Sequence, residues 1–270
     1  MPVQDPDRIS RRKRARQIVA ARLEKLEDLS IGKLVPSSIT LLALCSGVTA
    51  IRYAISGDWT VAVSFVICAM VLDMLDGRAA RMLGADSRFG AQLDSLADLV
   101  SFGVAPGLIM YNWTLDQMGN AGWIVALIFI AAGAVRLARF NVEAARDEGA
   151  TKANPYFTGL PTPAAAGMML LPMLVWFQWE DPIARQPWVS GIVIAVTAAL
   201  MVSRLPTPSI KYMKLQRQHQ ILAGLFCAAL AGALVVWPWA TITIGLLIYV
   251  ATIPFAIWTH HPRAVARRAH

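Results

Sequence analysis

Charged side chains are scarce in this sequence. Aspartate, glutamate, lysine and arginine together make up 16% of its 270 residues, whereas soluble domains carry roughly 25%. Hydrophobic residues reach 56%, and the mean hydropathy is +0.51. This composition excludes an ordinary soluble domain and indicates a polytopic all-α membrane protein, in which each spanning helix needs about 20 apolar residues.

Cysteine and histidine are also few, and their positions do not match a metal site. Cys45, Cys68 and Cys227 all lie inside apolar runs, and no pair has metal or disulfide spacing. We therefore expect them to be small core hydrophobes. The histidines form no metal-spaced set with carboxylates; they are His219, His260, His261 and His270. A cysteine or histidine nucleophile is therefore not evident.

Eight apolar segments are candidates for spanning helices. They are 34–55, 59–83, 94–111, 121–140, 163–177, 188–203, 221–236 and 240–258. With the N-terminus inside, the basic residues of the loops and tails fall almost entirely on the inner side, and only Arg52 and Arg185 fall outside. We therefore expect an integral protein of the cytoplasmic membrane with both termini cytoplasmic. The net charge of +8 then reflects basic cytoplasmic segments, and no nucleic-acid partner is expected.

The same pattern divides the chain into three parts. Residues 1–33 form a basic cytoplasmic segment, and its apolar residues over 18–31 predict an amphipathic helix on an anionic membrane surface. Residues 34–204 form a core of six spans. Residues 205–270 add two further transmembrane helices and a basic cytoplasmic tail.

Four carboxylates stand where the second and third spans meet. Asp73 and Asp76 are three residues apart, and Asp94 and Asp98 are four apart, so each pair shares one face of a helix. Carboxylates within a membrane cost roughly 2.5–3.5 kcal/mol each on insertion scales. They are either interfacial acids paired with nearby arginines or ligands of a divalent cation, for which oxygen-only donors favour Mg²⁺, Mn²⁺ or Ca²⁺. The arginines available for pairing are Arg78, Arg81 and Arg88.

The spacing of these aspartates resembles the signature of a known family. The fixed positions run Asp73-x-x-Asp76-Gly77-x-x-Ala80-Arg81, then eight residues to Gly90, three to Asp94 and three to Asp98. This pattern resembles the CDP-alcohol phosphotransferases in every fixed position. The family's common core spans about six helices, which corresponds here to about 34–204.

The resemblance implies two divalent cations, Mg²⁺ or Mn²⁺, and a role for each residue of the pattern. Asp73, Asp76 and Asp94 would be metal ligands, and Asp98 would be both a ligand to the second metal and the general base. The CDP moiety would contact Gly77, Ala80, Arg81 and Ser87, together with the start of the first helix, Pro36, Ser37, Ser38, Ile39 and Thr40. Ser37 stands where the family usually has asparagine. Family members are commonly dimeric, so a homodimer is expected.

Downstream segments bear on the alcohol that accepts the phosphatidyl group. SLADLVSFGVAP from Ser95, RLARFN from Arg136 and GLPTPAAA from Gly159 resemble the integral-membrane phosphatidylserine synthases of bacteria and archaea. That resemblance implies CDP-diacylglycerol and L-serine as substrates in a membrane lipid environment. The candidate serine-binding residues are Ser101, Arg136, Arg139, Asn141 and Thr158.

Other interpretations remain open from the sequence alone. The two arginines at the end of the fourth span are also typical of topology or headgroup anchors. The same chemistry with glycerol phosphate, inositol phosphate or choline as acceptor is the nearest alternative. A cation transporter using the four aspartates, or a lipid-binding scaffold, would be different classes of protein. A transporter would place carboxylates near mid-membrane on several helices, whereas these are confined to one turn between two helices.

Overall fold

The computed structural model describes residues 31–85, 87–147, 157–203, 206–207 and 220–266. The predicted all-α class is confirmed over these residues, apart from two strands of two residues each. In chain order the elements are α1 (Ile31–Ile55), α2 (Trp59–Leu83), α3 (Arg88–Asp98), a π-helical turn (Leu99–Val104), α4 (Ala105–Trp113), a 3₁₀ turn (Leu115–Met118), α5 (Asn120–Asp147), β1 (Phe157–Thr158), α6 (Thr162–Trp179), α7 (Pro187–Val202), β2 (Pro206–Thr207), α8 (Gln220–Val236) and α9 (Pro238–Ala266). The expected amphipathic helix at 18–31 lies almost wholly outside the described residues.

Among the described residues, four helices are long and apolar enough to cross a membrane, as expected of an integral membrane protein. They are Leu34–Ile55, Trp59–Leu83, Arg88–Trp113 and Asn120–Ala145. Shorter apolar helices follow at Pro187–Val202, Gly224–Val236 and Pro238–Thr252. The count of eight spans stays a prediction.

The third long helix begins earlier than the hydropathy pattern predicted. It starts at Arg88 rather than near Asp94, because Ser87 caps it and its Oγ accepts the Gly90 N–H at 3.0 Å. The helix continues through the π-helical turn into α4 as one rod. The π-helical turn begins directly after Asp98, so the change in backbone geometry lies next to the last of the four aspartates.

The two ends of the bundle differ in chemistry. At one end, which we call the aspartate end, α2 finishes at Gly84 in a left-handed conformation (φ 58°) and α3 begins. At the opposite end aromatic rings meet, with Trp113 against Trp176 and Phe177 against Trp239 at centroid distances of 6.2 and 5.0 Å. The α2–α3 hairpin therefore places all four aspartates towards one end of the molecule.

The core is built from the inner faces of α1 to α7. Its largest fully buried side chains include Phe129, Ile109, Met169 and Ile194. The three cysteines are not part of it, which corrects the expectation that they are core hydrophobes: Cys45, Cys68 and Cys227 are exposed. The physical reason is that lipid accepts apolar side chains, so an apolar run in a spanning helix need not face the core.

Helix α1 approaches the π-helical turn closely. A Cβ built on Gly47 would lie 2.7 Å from the Ser101 Cα, and the Ser101 hydroxyl donates to the Ala43 carbonyl at 3.2 Å. Ser101 is 1% exposed. The glycine therefore allows backbone contact between α1 and the segment that follows Asp98.

Replacing this glycine tests the contact. We expect Gly47→Ala to destabilise the protein by about 1–3 kcal/mol, because the methyl group meets backbone that cannot rotate away. The matched control is Gly245→Ala on α9, where no atom lies within 4 Å of the added Cβ. Thermal unfolding in detergent should show a lower midpoint for Gly47→Ala alone, and equal midpoints would contradict the packing described.

Candidate active site

The α2–α3 hairpin brings the four aspartates together. Asp73 and Asp76 lie on α2, and carboxylate oxygens of Asp73, Asp76 and Asp94 lie within 4.8 Å of one another. The side chain of Asp98 is within hydrogen-bonding reach of Asp73. The spacing of three on one helix and four on the other thus gives one cluster of carboxylates.

This cluster has the composition of a divalent-cation site. Carboxylates this close repel one another strongly where the dielectric is low, and Asp76 is only 5% exposed. Arg78, Arg81 and Arg88, the arginines that an interfacial pairing would use, are exposed. A hard cation with oxygen ligands relieves the repulsion, so the donor set fits Mg²⁺ or Mn²⁺.

Thr40 holds one of the carboxylates in place. Its Oγ1 donates to Asp76 Oδ2 at 2.6 Å, and the carbonyl of Pro36 lies 3.1 Å from the same hydroxyl. A hydroxyl has one proton, and the shorter contact with an anionic acceptor is the stronger one. Because Thr40 is itself 5% exposed, it fixes Asp76 from the side of α1. The first helix therefore contributes to the aspartate cluster directly.

A cavity of about 220 Å³ opens beside the cluster. Its lining comes from α1, the end of α2 and the start of α3: Pro36, Ser37, Thr40, Asp76, Gly77, Ala80, Arg81, Ala85, Ser87, Gly90, Ala91 and Asp94. Seven of the nine residues predicted to contact CDP are therefore placed around one space. The other two, Ser38 and Ile39, are not among its lining residues, and the Ser38 hydroxyl donates to the Leu34 carbonyl at 2.8 Å.

Two lining residues, Ala85 and Ala91, were not singled out from the sequence. Ala91 was within reach of a sequence argument, because Ser87, Ala91 and Asp94 follow a helical spacing along one face of α3. Ala85 had no such signal, since it lies in the turn after Gly84. Small side chains at both positions leave room for a ligand beside the carboxylates.

The start of α3 gives the cavity an anion-binding side. Amide groups in the first turn of a helix lack carbonyl partners within it, and the helix dipole favours negative charge there. Ser87 satisfies the Gly90 amide, and Arg81 adds a guanidinium suited to phosphate. Carboxylates for a cation on one side and donors for an anion on the other suit a metal-bound phosphate ester.

The five candidate acceptor-binding residues have different surroundings. Arg136 Nη1 donates to Thr162 Oγ1 at 2.7 Å, and Arg136 and Asp98 are near enough to interact electrostatically. Asn141 Oδ1 accepts from Ser95 Oγ at 3.0 Å, next in sequence to Asp94. The structure therefore places Arg136 and Asn141 beside residues that adjoin or belong to the aspartate cluster.

The remaining three acceptor-binding candidates are Arg139, Ser101 and Thr158. The first two form hydrogen bonds with backbone carbonyls of other helices, and the side chain of the third lies outside the described residues. Arg139 Nη1 donates to the carbonyl of Val202 at the end of α7, at 3.0 Å. Ser101 is buried in the contact with α1, where its hydroxyl donates to a backbone carbonyl. The backbone of Thr158 pairs with Pro206 in the β1–β2 ladder, but its side chain lies outside the described atoms. Thr162 and Ser95, which sequence reasoning missed, hold Arg136 and Asn141 in place.

Comparison with known proteins finds one matching family and several relatives that share one name. The sequence model of the CDP-alcohol phosphatidyltransferase family matches residues 33–203. A protein of Mycobacterium leprae named CDP-diacylglycerol–serine O-phosphatidyltransferase is 35% identical over 236 residues, which cover 87% of this chain and 77% of that protein. A Helicobacter pylori protein of the same name is 36% identical over 196 residues (72% and 79% of the two chains). A protein so named from the archaeon Methanocaldococcus jannaschii is 32% identical over 207 residues (75% and 87%).

The Thr40–Asp76 hydrogen bond should tune cation binding. We expect Thr40→Val, which keeps the shape and removes the donor, to raise the Mn²⁺ concentration for half-maximal thermal stabilisation about tenfold. Thr40→Ser keeps the hydroxyl and serves as the matched control, with a midpoint near that of the unmodified protein. The measurement is the unfolding temperature in detergent as a function of added Mn²⁺. The same midpoint for Thr40→Val and Thr40→Ser would show that this hydroxyl does not position the carboxylate.

Proposed function

This chain belongs to the CDP-alcohol phosphatidyltransferase family, and we propose that it transfers the phosphatidyl group of CDP-diacylglycerol to the hydroxyl of L-serine. The products are phosphatidylserine and CMP. The observation that carries the proposal is the cluster of Asp73, Asp76 and Asp94, which Asp98 adjoins, beside a cavity with an arginine and a helix start on its other side. The names of the relatives support serine as the acceptor.

The donor half of the reaction follows from the cavity. Asp73, Asp76, Asp94 and Asp98 would hold two divalent cations, which supply positive charge to a diphosphate and orient it for in-line displacement. Arg81 and the first amides of α3 bind phosphate oxygens, and Thr40 keeps Asp76 directed at the site. The apolar tails of the lipid donor remain in the bilayer, next to exposed apolar side chains of the hairpin such as Met82 and Phe89.

The transfer step needs one proton acceptor. The serine hydroxyl oxygen forms a bond to the β-phosphorus, and the bond from that phosphorus to the oxygen bridging to CMP breaks. The hydroxyl proton passes to the Asp98 carboxylate, and CMP leaves with the electron pair of the broken bond. Asp98 suits this role because it is the aspartate of the cluster whose charge acts on Arg136.

The acceptor half rests on Arg136. A guanidinium binds a carboxylate through two parallel hydrogen bonds, and serine carries one carboxylate. One Arg136 nitrogen is used by Thr162, and the Nε is buried with no hydrogen-bond partner among the described residues. Arg136 therefore has a donor for an acceptor carboxylate at a position electrostatically linked to Asp98.

The membrane arrangement is part of the same proposal. Eight spans with both termini on the cytoplasmic side place the aspartate end at the cytoplasmic surface, where serine and CMP exchange with solvent. The distribution of lysine and arginine along the chain supports this orientation. The enzyme would act as a homodimer, by analogy with its family.

Release of CMP tests the activity and the acceptor together. Purified protein supplied with CDP-diacylglycerol and Mn²⁺ should release CMP with serine, but not with glycerol 3-phosphate, inositol phosphate or choline. Asp98→Asn should lower the rate at least about 100-fold, the effect of losing a general base. Asp116→Asn, at an exposed position in the 3₁₀ turn, is the control and should keep the full rate. Release with a different alcohol alone would retain the chemistry and overturn the acceptor.

Configuration at phosphorus tests whether the transfer is direct. The cavity lining described above contains no cysteine or histidine, so a covalent enzyme intermediate through either residue is not expected. We therefore predict inversion when the donor carries sulfur of known configuration at its β-phosphorus. Retention would require two successive displacements and would contradict direct attack by serine.

A further inference from the structure

Helix α9 lies outside the region that defines the family but belongs to the packed bundle. The family region ends at residue 203, and α9 begins at Pro238. Five of its side chains pack on the core at helical spacing: Trp239, Ile242, Leu246, Tyr249 and Val250. The helix therefore presents one face to the bundle over several turns.

The register between α6 and α9 follows from two contacts. Phe177 meets Trp239 at the end opposite the aspartates, with ring centroids 5.0 Å apart. Further along, a Cβ on Gly167 would lie 2.8 Å from Leu246 Cδ2, so the two helices touch closely there. Residue numbers fall from Phe177 to Gly167 along α6 while they rise from Trp239 to Leu246 along α9, so the two helices run antiparallel. One more turn of α9 places Tyr249 level with the first turn of α6.

The first turn of α6 is where Arg136 is held. Thr162, its first residue, accepts the Arg136 Nη1 hydrogen bond at 2.7 Å. Tyr249 and Arg136 are close enough to interact electrostatically, as are Arg136 and Asp98. Tyr249 of α9 therefore lies in the same region of the bundle as the Arg136–Thr162 pair.

We propose that Tyr249 is a specificity-determining residue that, with Arg136 and Thr162, holds the carboxylate of the acceptor. This inference rests on the proposed function and adds a residue from outside the family region. Arg136 Nε is buried without a hydrogen-bond partner among the described residues, so this guanidinium has a donor to offer. Tyr249, on the face of α9 that packs on the core, adds a phenol as a second donor.

The chemistry of this group selects an anion on the acceptor. A phenol donates one hydrogen bond, a guanidinium donates several, and a carboxylate only accepts. Bound this way, the carboxylate of serine would be fixed at α5, α6 and α9, and its hydroxyl would be turned towards Asp98. An amino alcohol that lacks the carboxylate gains nothing from Tyr249.

The test is a comparison of Michaelis constants. In full-length Tyr249→Phe, we expect the KM for serine to rise about tenfold, the loss expected for a hydrogen bond to a charged group. The KM for CDP-diacylglycerol and the kcat should stay within about twofold of the unmodified enzyme, because the donor side is untouched. Protection by serine against thermal unfolding should weaken in parallel, which provides a readout independent of turnover.

The control is Tyr111→Phe, a partly buried tyrosine whose ring lies edge-on to Trp123 at 5.0 Å. It should leave both Michaelis constants unchanged. Serine-dependent CMP release with an unchanged KM for serine in Tyr249→Phe would overturn this inference and leave the proposed function standing. An equal rise of both Michaelis constants with a lower unfolding temperature would also overturn it, since that pattern marks a packing role. A protein that uses only an acceptor without a carboxylate would overturn both proposals.

Discussion

Mutual repulsion between four carboxylates is the constraint on which the rest of this structure depends. Asp73, Asp76, Asp94 and Asp98 are gathered on one helical hairpin in a chain otherwise poor in charge. Such a cluster is costly in a low dielectric unless a cation or a hydrogen-bond donor offsets the charge. Thr40 provides a hydrogen-bond donor from α1, and divalent cations would offset the rest of the negative charge. The two helices that carry the cluster, α2 and α3, must therefore be held in a fixed relation to α1, which carries Thr40.

Close backbone packing supplies that fixed relation. Gly47 brings α1 against the π-helical turn, and Ser101 fastens this contact to the Ala43 carbonyl. The turn follows Asp98 directly. Ser87 fixes where α3 begins and hence the rotation of Asp94 and Asp98 about the helix axis. Residues outside the carboxylate cluster thus fix the geometry of its carboxylates.

The donor side of the site could be predicted from sequence because it is local. Its ligands lie on a hairpin of two helices, and helical spacing alone determines which side chains share a face. The acceptor side could not be predicted in the same way, because only tertiary contacts join its parts: Arg136 of α5 bonds Thr162 of α6, and α9 packs on α6. Ser101 and Arg139 have suitable chemistry, but their polar atoms bond backbone carbonyls of other helices. Thr162 and Tyr249 carry no local signal that would connect them with Arg136. The exposure of the three cysteines could not be predicted either, because the spacing of apolar residues does not distinguish a face on the core from a face on lipid.

This difference between the two sides bears on how one family serves several alcohols. The region that defines the family, residues 33–203, contains the whole aspartate cluster and the described cavity beside it. That half carries the carboxylates and the cavity that we assign to the CDP-linked donor. The acceptor half extends to α9, which the family region does not include. A helix outside the shared core can change without disturbing the carboxylates, since its contacts run through α6 rather than through the α2–α3 hairpin. In our proposal, selection of the alcohol therefore depends on Arg136 and Thr162, which lie inside the family region, together with Tyr249 of α9, which lies outside it.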